Sequence, residues 1–159
     1  MQKKAKFRAG IAGIGVAVAV GLSSAGGAGA AHGGALTTGT FDGRSEVASD
    51  ATNRKIVGDP NGRGEAYVFS TGGGVICYVL ETDKIAPATA AHIHEAAAGS
   101  NGPVVVTLSA PTNGSSAGCI DTGDADLAAA ITLVEPSNYY VNVHNADYPG
   151  GAVRAQLGN

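Results

Sequence analysis

The chain has 159 residues, with 10 Lys and Arg against 13 Asp and Glu, a formal net charge of −3. Residues 31–159 hold all 13 acids but only six of the bases, so their net charge is −7. An acidic body of this kind argues against nucleic acid binding and against electrostatic adhesion to anionic membranes. With no Trp and only 5% aromatic residues, the core must be mainly aliphatic.

Residues 1–30 have the pattern of a secretory signal peptide. Four bases between positions 3 and 8 precede an apolar stretch at 11–22, and the small residues at 28–30 offer a cleavage site near Ala30. We therefore predict a secreted protein with no membrane association after cleavage. The alternative is a transmembrane anchor, but the apolar stretch is shorter than the roughly 20 residues that a spanning helix needs, and Gly interrupts it.

Residues 31–36 are predicted to form a flexible mature N-terminus, followed by one domain over 37–159. His32 in the tail is interpreted as a solvated side chain. If cleavage falls after Ala30, the alternative is a Cu(II) site made by His32 and the free amine.

The first half of the domain has the period-2 alternation of β-strands. Residues 65–70 and 75–81 alternate around a Gly-rich turn at 71–74 and predict a hairpin. Both faces of 75–81 are apolar, which predicts an internal strand. Residues 88–94 and 104–108 are the next predicted strands, joined by a loop at 95–103.

The second half adds one helix and a closing hairpin. Residues 110–118 are rich in Gly, Ser and Asn and predict an exposed loop. Residues 124–134 repeat apolar positions at spacings of four and three after an Asp, which predicts a short amphipathic helix that Pro136 ends. Residues 139–144 and 152–157 predict the hairpin. The fold class is therefore all-β, an immunoglobulin-like or Greek-key β-sandwich or barrel with one short helix.

Cys77 and Cys119 are the two cysteines of the chain. In an exported protein, an even number of cysteines predicts a disulfide bond. Two buried free thiols and a pair of thiolate metal ligands are the alternatives.

Three of the four histidines lie in patterned strands. His92 and His94 share one face if 88–94 is extended, because alternate residues of a strand point to the same side. Asn142 and His144 share a face of the 139–144 strand in the same way.

These motifs resemble the CHRD domain, a family of secreted domains named for its copies in chordin. The resemblance runs through the segments at 91–95, 99–108, 139–144 and 148–157, with a weaker echo at 45–47 and 58–64. Ala96, Asn145 and Ala155 depart from the family pattern. The family motif residues are Glu46, Glu95, Gly99, Gly102, Pro103, Asn142, Pro149, Gly151, Arg154 and Gln156, together with the histidines.

The resemblance implies an immunoglobulin-like β-barrel whose opening strand includes 45–47. It also implies an extracellular binding or scaffolding role, because in chordin the domain accompanies growth-factor-binding modules. The expected partner is an extracellular protein or cell-surface component that the sequence does not name.

The alternative function is a metal site. His92, His94 and His144 can surround copper or zinc if their strands lie side by side, since imidazole suits both metals. Residues 92–95 also resemble, locally, the copper strand of Cu,Zn superoxide dismutases. The rest of that metal set has no match, so dismutase activity is not expected.

The same histidines have a structural interpretation. A neutral imidazole donates one hydrogen bond and accepts another, so it can join two backbone segments. Under this hypothesis His92 and His94 hold the 95–103 loop, His144 ties the closing hairpin to them, and Arg154 pairs with Glu95 or Glu46.

No enzyme motif stands out. The sequence has no nucleophile elbow, zinc-protease helix or phosphate-binding loop. Asp121, Asp124 and Asp126 lie near the predicted helix start and are interpreted as capping residues and partners of the helix dipole. Residues 59–62 read as a turn because the ligand spacing of a Ca²⁺ loop is missing. We therefore predict a non-catalytic protein.

Overall fold

The computed structural model describes residues 35–48 and 56–158. The predicted signal peptide, its cleavage site and His32 lie outside the described residues. No helix in the described part of the chain is both long and apolar enough to cross a membrane.

Eight antiparallel strands make up the domain. In chain order they are β1 (Leu36–Asp42), β2 (Arg63–Gly72), β3 (Val75–Asp83), β4 (Ala88–Glu95), β5 (Val104–Leu108), β6 (Ser115–Asp121), β7 (Tyr139–Asn145) and β8 (Val153–Gln156). They form one sheet in the order β5-β4-β7-β8-β1-β2-β3-β6. This sheet curls into a nearly closed barrel, which confirms the predicted all-β class.

The two edge strands of the sheet, β5 and β6, are consecutive in the chain. Residues 109–114 connect them, and side chains bridge the remaining gap. Ser109 N donates to the Tyr78 hydroxyl of β3 at 2.9 Å, and the Ser116 hydroxyl of β6 donates to Ser109 O at 2.8 Å. The barrel is thus closed by the 109–114 loop and by side-chain hydrogen bonds that join Ser109, just after β5, to β3 and β6.

The core fills the inside of the barrel with aliphatic side chains, as the composition predicts. Ile93 of β4 and Val141 and Val143 of β7 are fully buried there. Because neighbours along a strand point to opposite sides, the residues between them lie on the outer face of the barrel. This alternation places His92, His94, Asn142 and His144 outside the core.

The first strand differs from the one expected from the family resemblance. The pairing begins with β1, whereas Gly43–Ser45 form a 3₁₀ turn and Glu46 follows in extended backbone outside any strand. β1 begins at Leu36, the last residue of the predicted tail. Its inward residues are Thr37, Gly39 and Phe41, so the apolar alternation that marks a strand is largely absent.

The predicted exposed loop at 110–118 is wrong over its second half. Residues Ser115–Asp121 form β6, which pairs with β3 along its whole length. Its small, polar residues suit this place because Gly118 packs against the Tyr78 ring. β3 therefore lies between β2 and β6, and the internal position predicted for it is confirmed.

The predicted helix is present over the expected range in two parts. An α-helix, α1 (Ala125–Ala129), continues into a π-helical turn at Ala130–Val134. Asp124 caps α1, because its carboxylate accepts from the backbone N–H groups of Asp126 and Leu127. The capping role of Asp124 is confirmed.

The predicted disulfide bond is also confirmed. Cys77 of β3 and Cys119 of β6 face each other across the two strands and are bonded. The bond fastens the edge strand β6 to the interior of the sheet.

Candidate metal centre

Two neighbouring strands bring the three patterned histidines together. β4 and β7 pair antiparallel, so that His92 lies opposite Asn142, His94 opposite Tyr140, and His144 opposite Ala90. Apart from Ala90, which is small, the side chains of these residues all point to the outer face. We call His92, His94 and His144 the histidine trio.

The ring nitrogens of the histidine trio converge. One nitrogen from each imidazole lies within 4.8 Å of the other two. The shortest separation joins His92 Nδ1 to His144 Nε2, at 3.1 Å. Two nitrogens on one tetrahedral ion, with bonds of about 2.0–2.1 Å, lie about 3.3 Å apart. This pair is therefore already spaced as two ligands of one ion.

Backbone carbonyls fix the tautomers of two of the rings. His94 Nδ1 lies 2.9 Å from Gly102 O, and His144 Nδ1 lies 3.0 Å from Pro149 O. A carbonyl oxygen only accepts, so each Nδ1 carries the proton and donates it. Each Nε2 is left with a free lone pair, and His92 Nδ1–H donates to that of His144.

The Nε2 atom of His94 is buried and has no hydrogen-bond partner among the described residues. Buried polar atoms are nearly always paired with protein, water or an ion. Meanwhile Nδ1 of the same ring donates to a carbonyl, the usual outer contact of a metal-binding histidine. The donor set therefore fits a Cu or Zn ion, which this Nε2 would bind together with the other two histidines.

Burial and neighbouring charges favour the neutral form of all three imidazoles. Burial lowers the pKa of His92, and nearby His144 and His94 lower it further. The pKa values of His94 and His144 are also lowered, again mainly by burial, although the hydrogen bonds to Gly102 and Pro149 act in the opposite direction. Neutral imidazole is the form that binds metal.

A stack of rings holds His94 from the side. The Tyr140 ring lies parallel to it, with centroids 4.8 Å apart, and Arg154 Cζ lies 3.4 Å from the centroid of the Tyr140 ring. The Tyr140 hydroxyl accepts from Gly102 N at 3.4 Å, while Gly102 O accepts from His94. Tyr140 thus positions His94 directly by stacking and indirectly through Gly102.

A family model described as CHRD domain matches residues 38–157. This chain belongs to the CHRD domain family. The family that the strand motifs resembled is thereby confirmed over nearly all of the structured chain. No curated protein and no solved structure matches the sequence.

In this CHRD domain, Arg154 binds the 95–103 loop. Its guanidinium donates to Ser100 O at 2.7 Å and to Ala97 O at 3.1 Å, and also to the Gln156 side chain. The ion pair expected with Glu95 or Glu46 is replaced by these carbonyls, because Arg154 is buried beneath the loop on the outer face of β8. Glu95 lies exposed at the end of β4.

Glu46 is connected to the site by a hydrogen bond from the Asn142 side chain. Asn142 Nδ2 donates to Glu46 Oε1 at 2.5 Å. Burial raises the pKa of Glu46 to about 8, although the nearby Arg154 charge and the Asn142 hydrogen bond lower it. Glu46 is therefore largely protonated at neutral pH.

The remaining family residues shape the loops around the histidine trio. Gln156 donates to the carbonyls of Ala96 and Tyr139. At Gly151, with φ +139°, a Cβ would collide with the side chains of Glu46 and Asn142. Gly99 has φ +80°, a Cβ at Gly102 would overlap Glu95 O, and Pro103 O accepts from Glu95 N.

Sequence reasoning missed the backbone half of this site. Gly102 O and Pro149 O orient two imidazoles, yet a carbonyl is present at every position and carries no residue signal. Tyr140 was the one detectable member, because it shares the outer face of its strand with Asn142 and His144.

Proposed function

We propose that this CHRD domain is an exported, non-catalytic binding protein that holds one Cu²⁺ or Zn²⁺ ion with the histidine trio. The observation that carries the proposal is the buried Nε2 of His94, which has no partner among the described residues while its Nδ1 is committed to Gly102 O. Buried polar atoms are nearly always paired, and an ion at this Nε2 would satisfy it.

A bound ion would join β4 to β7, because His92 and His94 lie on β4 and His144 lies on β7. His144 and His94 are preset to bind through Nε2, since Pro149 and Gly102 hold their other nitrogens. His92 binds through Nδ1 once its proton has moved to Nε2, so the site needs a tautomer change at one ring only.

Export is supported by the leader pattern and by the disulfide bond, since such bonds persist in oxidising compartments. The non-catalytic assignment is supported by the sequence, which contains none of the nucleophile or metalloprotease motifs considered above.

The first experiment measures metal content and Zn²⁺ affinity of protein purified without a His-tag. We expect one ion per chain and an affinity tighter than micromolar. His94→Ala should abolish tight binding while leaving the circular dichroism spectrum unchanged. His32→Ala is the matched control, since it removes a histidine outside the histidine trio, and it should bind as the wild type does. A wild-type Zn²⁺ affinity no tighter than micromolar would contradict the proposal.

An extracellular interaction module is the second candidate, favoured by an apolar outer face on β1–β3. Leu36 is 52% exposed and lies beside Phe69, while Val79 is 36% exposed and lies beside Tyr67. Exposed apolar patches mark protein interaction sites.

Cross-linking on intact secreting cells tests this second candidate. We expect a discrete adduct that Val79→Glu abolishes. Val104→Glu, at another exposed valine, on β5, is the control and should keep the adduct. An adduct that survives Val79→Glu, or no adduct at all, would contradict the interaction role of this face.

A further inference from the structure

Asn142 lies at the centre of the outer face that carries the histidine trio. It is directly opposite His92 across the β4–β7 pair and two residues before His144 on the same side of β7. Its side chain is 3% exposed. Its Oδ1 atom is buried and has no hydrogen-bond partner within residues 35–48 and 56–158.

The hydrogen bond made by Nδ2 sets the orientation of the Asn142 side-chain amide. Asn142 Nδ2 donates to Glu46 Oε1, which places Oδ1 on the other side of the amide group. Asn142 and His94 line the same cavity of about 330 Å³. In the part of the chain that the structure describes, two buried side-chain atoms have no partner, His94 Nε2 and Asn142 Oδ1, and both are lone-pair donors.

We propose that Asn142 Oδ1 is the fourth donor of the metal site, completing a set of three imidazole nitrogens and one amide oxygen. The inference rests on the proposed metal-binding function. One cation bound between the two atoms satisfies both lone pairs at once. A single water molecule that donates both of its hydrogens is the other partner that can do so, and Zn²⁺ binding distinguishes the two.

The donor set also specifies the class of metal. Imidazole suits Zn and Cu, an amide oxygen is a harder ligand that occurs as a weak axial ligand of copper, and thioether or thiolate ligands that favour Cu(I) are missing from the set. The site should therefore prefer divalent Zn²⁺ and Cu²⁺ to Cu⁺. Four protein donors also make a closed site, the arrangement of structural rather than catalytic zinc.

Zn²⁺ competition titrations of full-length variants test the assignment. Asn142→Leu keeps the approximate size but has no donor, and we expect its affinity to fall by at least about tenfold. Asn142→Asp restores an oxygen donor and should bind at least as tightly as wild type. Asn113→Leu is the matched control: it makes the same substitution at an exposed asparagine of the 109–114 loop, outside the metal site, and should leave the affinity unaltered.

The outcomes separate this inference from the proposed function. If the wild type fails to bind Zn²⁺, both fall. If the wild type binds and His94→Ala does not, but Asn142→Leu binds as tightly as wild type, the metal site stands and the assignment of Asn142 is overturned.

A second measurement needs no variant at Asn142, in case Asn142→Leu does not fold. Cu²⁺-loaded wild type is examined by electron paramagnetic resonance in ordinary water and in water enriched in the magnetic oxygen isotope. If Asn142 occupies the fourth position, the copper lines should not broaden. Broadening would show that water coordinates the copper, and would overturn the site closed by four protein donors.

Discussion

At each imidazole of the histidine trio, burial disfavours the charged form. The pKa values of His92, His94 and His144 all lie below the usual 6.5, so the metal-binding form persists at lower pH than for a free histidine. The same depression means that stability from these groups is present above pH 6.5 and is lost as the pH falls through the lowered pKa values.

We therefore expect Zn²⁺ affinity to stay constant on acidification through pH 6.5 and to fall only below it. Competition titrations between pH 5 and 8 measure this profile. A midpoint at or above pH 6.5 would contradict the neutral histidine trio.

Glu46 gives the opposite dependence in the metal-free protein. Its pKa is raised to about 8 in the fold from the usual 4.5, so folding favours its neutral form. The stabilisation is complete below about pH 4.5 and is lost as the pH rises to about 8. Glu46→Gln keeps the neutral form at every pH. In urea titrations with chelator present, we expect this variant to lose less stability than wild type between pH 6.5 and 9. Parallel profiles would show that Glu46 is not buried as a neutral acid.

At the scale of the strand, prediction from sequence depended on apolar alternation. The pattern located β2–β5, β7 and β8, and it placed the histidine trio on one face. It missed β1 and the whole of β6, whose inward positions hold residues such as Thr37, Gly39 and Gly118. Small residues fit there because a large side chain on the neighbouring strand fills the space, as Tyr78 does above Gly118. The sequence of one strand does not show which side chain its neighbour will supply.

The disulfide bond holds β6 in place where its own side chains contribute little. It closes a loop with a sequence separation of 42 residues. The chain-entropy model then values it at about 3–4 kcal/mol. The double variant Cys77→Ala, Cys119→Ala should lose this free energy of unfolding in urea titrations. Reduction of the wild type should give a similar loss. A loss below about 1 kcal/mol would show that the unfolded chain gains little freedom when the bond is removed.

Across the whole molecule, the barrel closes where side chains of β3 and β6 bond to the backbone just after β5. Tyr78 is 2% exposed, and its hydroxyl accepts from Ser109 N at the end of β5. Removal of the Tyr78 hydroxyl leaves the backbone N–H of Ser109 without this acceptor.

Tyr78→Phe should therefore destabilise the protein by about 1–3 kcal/mol. Amide hydrogen exchange at Ser109 should become faster than in wild type. Tyr67→Phe, on the outer face of β2, is the control and should have little effect. Unchanged exchange at Ser109 in Tyr78→Phe would show that the loop alone closes the barrel.

The two ends of the domain meet in the middle of the sheet, where β1 lies beside β8 and Thr38 exchanges backbone hydrogen bonds with Gly158. Force applied to both ends would pull these antiparallel neighbours apart from the same side. Their hydrogen bonds lie across the strands and would break one after another instead of sharing the load. We expect the domain to unfold at low force from β8 in single-molecule pulling, despite the disulfide bond elsewhere. High resistance would instead mean that core packing carries the tension.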